Sequence, residues 1–373
     1  MSSKNLQIAI VGRALSHPVG GVREYSRSMV RSLLALDTPH RFTIYYADES
    51  LMGMHPSAEE KFLPAPHKFI FDHLAVPRVI KKDRPDVTWF PHNVMGMGVR
   101  RPAVLTVLDL LYFRDPAFPV VEYARLDTLY MRHFIPRSVR RAKKVMVISD
   151  WTARDATRVL GTSPDKLSTV HLAQGPEFRV LPEGPVGDVR EKYQLAQPFF
   201  FYAGTLSPRK NSRRMLEAFG RIKDRVPHDL IVTGGGDMLM VDHADLIEQY
   251  GLQDRFRVLG LVPGKDLVAL YNAAEVFVFP SLYEGFGIPP LEAFACDCPV
   301  ISSAASSLPE VVGDAARVVD PLDTGALAEA MLELALDAAL RTRFIEKGRL
   351  RLEHFSWERS ARKLLGLLEE SAT

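Results

Sequence analysis

The chain has 373 residues, 47% hydrophobic and 25% charged, which fits a folded globular protein of about two domains and excludes a disordered or low-complexity chain. The net charge of +2 hides an asymmetry: residues 1–180 hold 26 Lys/Arg against 17 Asp/Glu, and residues 181–373 hold 21 against 28. A basic first half favours an anionic partner such as acidic lipid or phosphate, whereas nucleic acid is set aside because no aromatic-basic interleaving or helix-turn-helix signature accompanies the charge.

The first apolar run, "LQIAIVG" (6–12), ends at Gly12-Arg13, too early for a signal-peptide core and cleavage site, and is read as a strand. No run of about 18 apolar residues occurs, so no membrane-spanning helix is expected and the chain is placed in the cytoplasm. A helical pattern follows at 22–36, with Val22, Tyr25, Met29, Leu33 and Leu36 on one face. Further strands are expected at 41–47, 87–91, 103–109, 145–149 and 168–173, then at 198–204, 229–235, 256–260, 275–280, 299–303 and 316–320. Several are near-continuous apolar runs, as in parallel strands covered on both faces. A second helical face, Met215, Leu216, Phe219 and Ile222, lies at 213–222. This alternation predicts an α/β protein built from doubly wound sheets. Residues 176–198 are rich in Pro, Gly and charge and are read as the linker between two Rossmann-like domains, 1–180 and 181–355. Cys296 and Cys298 form a C-x-C with no His/Cys cluster beside it and are read as free thiols.

Ligands of such sheets bind beyond the carboxyl ends of the strands, so motifs there carry the chemistry. After strand one, Gly12, Gly20 and Gly21 let backbone N–H groups approach an anion at a helix N-terminus. In "YAGTLSPRKN" (202–211) the strand ends at Gly204-Thr205, and Arg209-Lys210 stand before a helix, where two cations can neutralise a diphosphate. "TGGG" (233–236), with Gly235, brings backbone close to a ligand but lacks the Lys-Ser/Thr of a P-loop. The stretch "PSLYEGFGIPPLEAFACDCPV" (280–300) is the richest. Pro290 suits the first turn of a helix, which puts Glu284 in the loop and Glu292 in that first turn, both facing one cleft. The N–H groups of Phe286, Gly287 and Ile288 would cradle negative charge, and Glu292 would accept from hydroxyls such as a ribose. A carboxylate beside a phosphate is repulsive, so Glu284 requires Arg209 or Lys210 nearby. In the first half, "RHFIPRSVRRAKK" (132–144) reads either as docking to acidic lipid at a membrane face or as a solvated helix face. His92, in "WFPHNVMG", is the acceptor-side candidate, with Met95 and Met97 beside it, while His17 and His171 are read as polar lining or structural residues.

These residues resemble the retaining glycosyltransferases of the GT-B fold, in particular the large family-four group with nucleotide-sugar donors. The matching elements are Gly20-Gly21, "AGTLSPRKN", "PSLYEGFGIPPLEAFACDCPVI" with its E-x7-E spacing, and "SSLPEVVGDAARVVDP" (306–321). The resemblance implies two facing Rossmann-like domains and a last helix, 356–373, crossing back onto the first. It implies that Arg209 and Lys210 hold the diphosphate, Glu284 the donor sugar and Glu292 the ribose. Phe286, Gly287 and Ile288 would offer backbone N–H groups, and Gly21 a close approach. It implies no cofactor or metal, the cations and helix ends standing in for Mg²⁺. Two departures stand out. Where many members read His-Asp, this chain has Leu108-Asp109, so that either Asp109 takes part of the role or the chain manages without the His. Asp297 stands where Gly is usual, in a turn whose unusual backbone angles Asp tolerates.

The resulting expectation is transfer of a hexose, mannose favoured, from a GDP- or UDP-sugar to a hydroxyl of a glycan or lipid-linked acceptor, with retention. The alternatives are a catalytically silent nucleotide-sugar-binding module and a GT-B-like UDP-sugar epimerase.

Overall fold

The computed structural model describes residues 5–17, 20–113, 125–234 and 243–372. They fall into two compact units, the first drawn from Met1–Asp115, Tyr123–Leu172 and Ser356–Thr373, the second from Ala173–Phe355.

The first unit is built on seven parallel strands: β1 (Gln7–Val11), β2 (Arg41–Tyr46), β3 (Glu59–Phe62), β4 (Val87–Phe90), β5 (Ala103–Val107), β6 (Lys144–Val147) and β7 (Leu167–Thr169). Their order across the sheet is β3-β2-β1-β4-β5-β6-β7. Its helices are α1 (Gly21–Leu34), the short α2 (Lys68–Ile70), α3 (Val76–Asp83), α4 (Arg125–Arg141) and α5 (Asp150–Leu160). β4 and β5, "VTWF" and "AVLTV", are buried at every position, as central strands covered on both faces must be. Their buried Thr106 hydroxyl accepts from Trp89 Nε1 at 2.9 Å and from the Tyr25 hydroxyl at 3.0 Å, which removes the cost of a polar group in the core. Tyr25, Met29 and Leu33 of α1 are buried on the face that the spacing predicts. β3, "EEKF", was not among the expected strands. It is an edge strand with half-exposed residues and therefore carries no apolar run to detect.

The second unit holds six parallel strands: β8 (Phe199–Ala203), β9 (Asp229–Thr233), β10 (Phe256–Val258), β11 (Val276–Phe279), β12 (Val300–Ser303) and β13 (Arg317–Val319), in the order β10-β9-β8-β11-β12-β13. Its helices are α6 (Glu183–Lys192), α7 (Ser212–Ile222), α8 (Ala244–Tyr250), α9 (Gly264–Ala273), α10 (Ile288–Ala295), α11 (Leu308–Val312), α12 (Thr324–Leu336) and α13 (Ala338–Leu352). Fully buried Phe199, Phe200, Phe201, Phe277 and Phe279 fill the sheet. Tyr271 of α9 meets Phe201 edge-on at 5.1 Å. The last helix, α14 (Trp357–Ala372), belongs to the first unit and packs on α1, β4, β5 and β6.

The division between units falls at Leu172/Ala173, ahead of the expected 180/181. The segment 176–198 is not a free linker. It contains α6 and is tied to α9, with the Leu181 N–H donating to Asn272 Oδ1 at 2.8 Å and Arg190 Nη2 to the Ala273 carbonyl at 2.7 Å. Only Val189 of α6 is buried, so hydrogen bonds and not an apolar stripe hold it, and periodicity gave no warning.

Each sheet reverses its winding once. The switch lies between β1 and β4 in the first unit and between β8 and β11 in the second, and at such points the carboxyl ends of adjacent strands diverge to leave a crevice.

Candidate functional site

In the second unit the loops after β8 and β11 flank the switch point. They are stitched together by backbone: the Leu282 N–H donates to the Arg209 carbonyl at 2.8 Å. Asn211, in the left-handed region at φ 62°, opens α7, and its buried amide donates to the carbonyls of Pro280 at 3.1 Å and Pro321 at 2.7 Å. This framework delivers three charges to one place. Arg209 Nη1 lies 3.1 Å from Glu284 Oε2, and Lys210 Nζ lies 2.6 Å from Glu284 Oε1. Arg209 also donates to the Tyr283 carbonyl at 3.0 Å, and Lys210 Nζ sits 4.8 Å above the Phe279 ring. The Glu284 backbone is itself fixed, its N–H donating to Ser306 Oγ at 2.9 Å while Ser307 Oγ donates to its carbonyl at 3.0 Å.

The pairing that Glu284 requires is thus present, and it is largely out of solvent, with the three side chains 12–19% exposed. Burial opposes ionisation of Glu284, but the charges of Lys210 and Arg209 outweigh it and hold the carboxyl below its ordinary range. Two cations against one carboxylate leave one positive charge in a poorly solvated place, which suits an anionic ligand.

Around this cluster the backbone comes close. Gly204 follows β8 at φ 150° and Gly234 follows β9 at φ 119°; a Cβ on Gly234 would lie 2.4 Å from the Gly204 carbonyl oxygen. The Thr205 carbonyl accepts from the Tyr202 hydroxyl at 2.9 Å. Gly235 lies outside the described residues. α10 begins at Ile288, with Gly287 at φ 105° before it and Pro289 and Pro290 in its first turn. This corrects the expected start at Pro290. Both prolines fit the first turn, where no intrahelical N–H is needed, so the helix opens two residues earlier and Glu292 falls in its second turn. Glu292 is half-buried, and its Oε2 accepts from the Tyr271 hydroxyl at 2.9 Å. Burial and then this carboxylate push the Tyr271 phenol well above its usual range. Phe286, Gly287 and Ile288 are buried, and the Phe286 carbonyl accepts from Ser307 Oγ at 2.7 Å. Asn211, Ser306 and Ser307 escaped sequence reasoning, which stopped at the charges; Asn directly after Arg-Lys at a helix start was the available signal.

In the first unit, Gly20 precedes α1 at φ 101° and Gly21 opens it, and both are exposed. β1 leads into the turn Gly12–Ser16, and β4 leads to His92. Arg13 Nη2 lies 3.5 Å from His92 Nδ1, and the His17 ring is 5.8 Å from that of His92. Burial, followed by Arg13, His17 and Lys68, holds the His92 imidazole well below its ordinary value, so it is neutral. Asp109, after β5, accepts the Leu111 N–H at 3.1 Å and so caps a short turn. Leu108 is buried, its N–H donating to Asn93 Oδ1 at 2.8 Å. Met95 is part of the core, whereas Met97 is 48% exposed. The His171 carbonyl accepts from Ser360 Oγ at 2.5 Å. Asp297 takes the left-handed conformation at φ 54° and is paired with Arg349. Cys296 and Cys298 are buried free thiols.

A family model described as "Glycosyl transferases group 1" matches residues 188–351, which contain the Arg209–Lys210–Glu284 cluster. The chain is 36% identical over 265 residues to an O-antigen chain mannosyltransferase B of Escherichia coli, covering 69% of this chain and 67% of that protein. The chain belongs to the group 1 glycosyl transferases. It is also 30% identical over 228 residues to the serotype-specific mannosyltransferase WbdA of Escherichia coli, a longer protein of which only 28% is spanned. The glycosyltransferase has the α/β GT-B fold. A structure of Anabaena HepE in complex with UDP and glucose superposes with a TM-score of 0.73 at 16% identity, over 98% of this chain and all of that one.

Among the described residues of the glycosyltransferase, no helix is long and apolar enough to cross a membrane. The basic stretch 132–144 lies mostly in α4, which runs through Pro136. Its outer surface carries Leu126 and Leu129, 80% and 64% exposed, beside exposed Arg132, Arg137 and Arg140.

Proposed function

We propose that this glycosyltransferase moves a hexose, mannose, from a GDP- or UDP-sugar to a hydroxyl of a glycan or lipid-linked acceptor, with retention at the anomeric carbon. The observation that carries the donor assignment is the convergence of Arg209 and Lys210 on Glu284 at the switch point of the second sheet. The mannosyl assignment is supported by the relative at 36% identity, and the nucleotide by the HepE complex of the same fold.

In this reading the diphosphate replaces Glu284 as partner of the two cations, and Glu284 turns to the hydroxyls of the donor sugar. Glu292 takes the ribose, while the backbone at Phe286–Ile288 and at Gly204 and Thr205 serves sugar and phosphate. The anomeric C–O bond to the diphosphate breaks as the bond to the acceptor oxygen forms on the same face. The acceptor proton passes to the departing phosphate oxygen. Charge develops on that leaving group, so Arg209, Lys210 and the helix ends supply most of the stabilisation without a metal. His92 and Asp109 serve the acceptor side.

Lys210→Ala tests the scheme on a panel of GDP- and UDP-hexoses. It is expected to lower kcat roughly 10²–10³-fold, as loss of a preorganised charge stabiliser does elsewhere. Wild-type turnover in this variant would overturn the assignment. The exposed leucines and arginines of α4 are proposed to rest on anionic lipid, which places the acceptor side at a membrane face. Co-sedimentation with vesicles containing phosphatidylglycerol, weakened by salt and by Leu126→Ser/Leu129→Ser, is the expected result; equal binding to neutral vesicles counts against it.

A further inference from the structure

A second polar cavity, of about 340 Å³, lies wholly within the first unit, and nothing in the donor scheme uses it. Its wall includes Arg13, Ser16, His17, His67, Lys68 and Phe71, and among the described residues no acidic one lines it. Two acids pair with its cations. Asp72, 4% exposed, accepts from Arg13 Nε at 2.9 Å, and Asp127 pairs with Lys68. Neither carboxylate is among the described residues of that wall. His67 Nδ1 accepts the Phe69 N–H at 3.2 Å, which leaves its Nε2 to carry a proton. Asp72 is fixed in turn by the Tyr130 hydroxyl at 3.0 Å, and Tyr130 by His73 Nε2 at 3.0 Å. This is a braced wall, not a loose surface patch. Burial and then the charges of Arg13 and Lys68 hold the His17 imidazole below its ordinary value.

We propose that this cavity binds a phosphate monoester group, held by Arg13, Lys68 and His67, with His17 as the imidazole that takes up a proton when the dianion enters. That the anion belongs to the acceptor rests on the function proposed above; that the cavity binds an anion does not. The charged and titratable groups around His17 are Arg13 of its own turn, His92 after β4, and His67 and Lys68 at the start of α2, with Asp72 paired to Arg13 and Asp127 to Lys68. A dianion reverses the sign of the local field, so the His17 pKa rises on binding.

The test is histidine NMR of the full chain across pH, with and without inorganic phosphate, the His17 resonance being assigned with His17→Gln. The expected result is a saturable upward shift of the His17 titration that sodium chloride does not reproduce. Lys68→Ala, or Lys68→Gln if the alanine variant folds poorly, weakens phosphate binding at least about tenfold. No saturable shift, or one equally strong in both Lys68 variants, overturns the proposal. Glycerol 2-phosphate and vesicles of phosphatidic acid in phosphatidylcholine separate the sources. A response to the soluble ester alone supports a soluble acceptor, a response to both supports a lipid headgroup, and a response to neither overturns the site. Because the two experiments read different residues, His17 silence with Lys210→Ala inactive sinks this inference alone, and a shift with Lys210→Ala fully active sinks the donor assignment alone.

Discussion

Glu284 is bound by two cations, and in the proposed donor scheme this makes it a competitor for the incoming anion. Glu284→Gln is expected to bind UDP or GDP alone more tightly than the parent, by calorimetry, while transferring sugar far more slowly. The same change leaves Arg209 and Lys210 uncompensated without ligand and costs about 3 kcal/mol of stability. Since the folded carboxyl is held below the usual glutamate value of about 4.3, its stabilising contribution is complete above that pH. It is lost as pH falls through the depressed value. Denaturation of Glu284→Gln should accordingly show less acid sensitivity in that window; an unchanged profile would place the acid-labile pairs elsewhere. The partnership was legible in the sequence, because a carboxylate beside a phosphate site needs a cation. Its bracing was not: Ser306, Ser307 and Asn211 act through hydrogen bonds whose partners lie up to 110 residues away, beyond the reach of local pattern.

At the scale of elements, the strands announced themselves wherever both faces are buried and fell silent at edges and in hydrogen-bonded segments. β4, β5, β8 and β11 read directly as apolar runs, whereas β3 is two glutamates, a lysine and a phenylalanine. α6 hid in a proline- and glycine-rich stretch because it buries one side chain. The start of α10 was misplaced because two consecutive prolines fit a first turn equally well, and only Gly287 at positive φ marks the boundary. The strand-end glycines carry a sharper consequence. Gly234→Ala combines a backbone conformation that L-residues avoid with a Cβ set against the Gly204 carbonyl, and backbone cannot yield as a side chain can. A loss of about 3 kcal/mol is expected in denaturant titration, together with weaker nucleotide binding, because the carboxyl end of β8 must move. Parent-like stability would show that the β8 and β9 ends tolerate separation.

For the molecule as a whole, the decisive feature is that the first unit is assembled from both ends of the chain. Leu364, Leu367 and Leu368 of α14 are buried on α1 and the strands β4–β6. Leu364→Ala should cost about 3 kcal/mol in that unit alone. Calorimetry is expected to split into two transitions, the earlier belonging to the first unit, with UDP or GDP still raising the later one. A single transition shifted as one would mean that the units melt together. The resemblance carried this return of the chain; composition and periodicity did not, since an amphipathic helix does not say which sheet it will cover. On the ribosome the consequence is an inverted timetable. Domains generally complete themselves in the order in which they are synthesised. Here the second unit has all its strands and helices before translation reaches residue 357, while the earlier-made sheet still lacks its covering helix. The nascent first unit must therefore wait with an apolar face uncovered until residues 357–372 have been made.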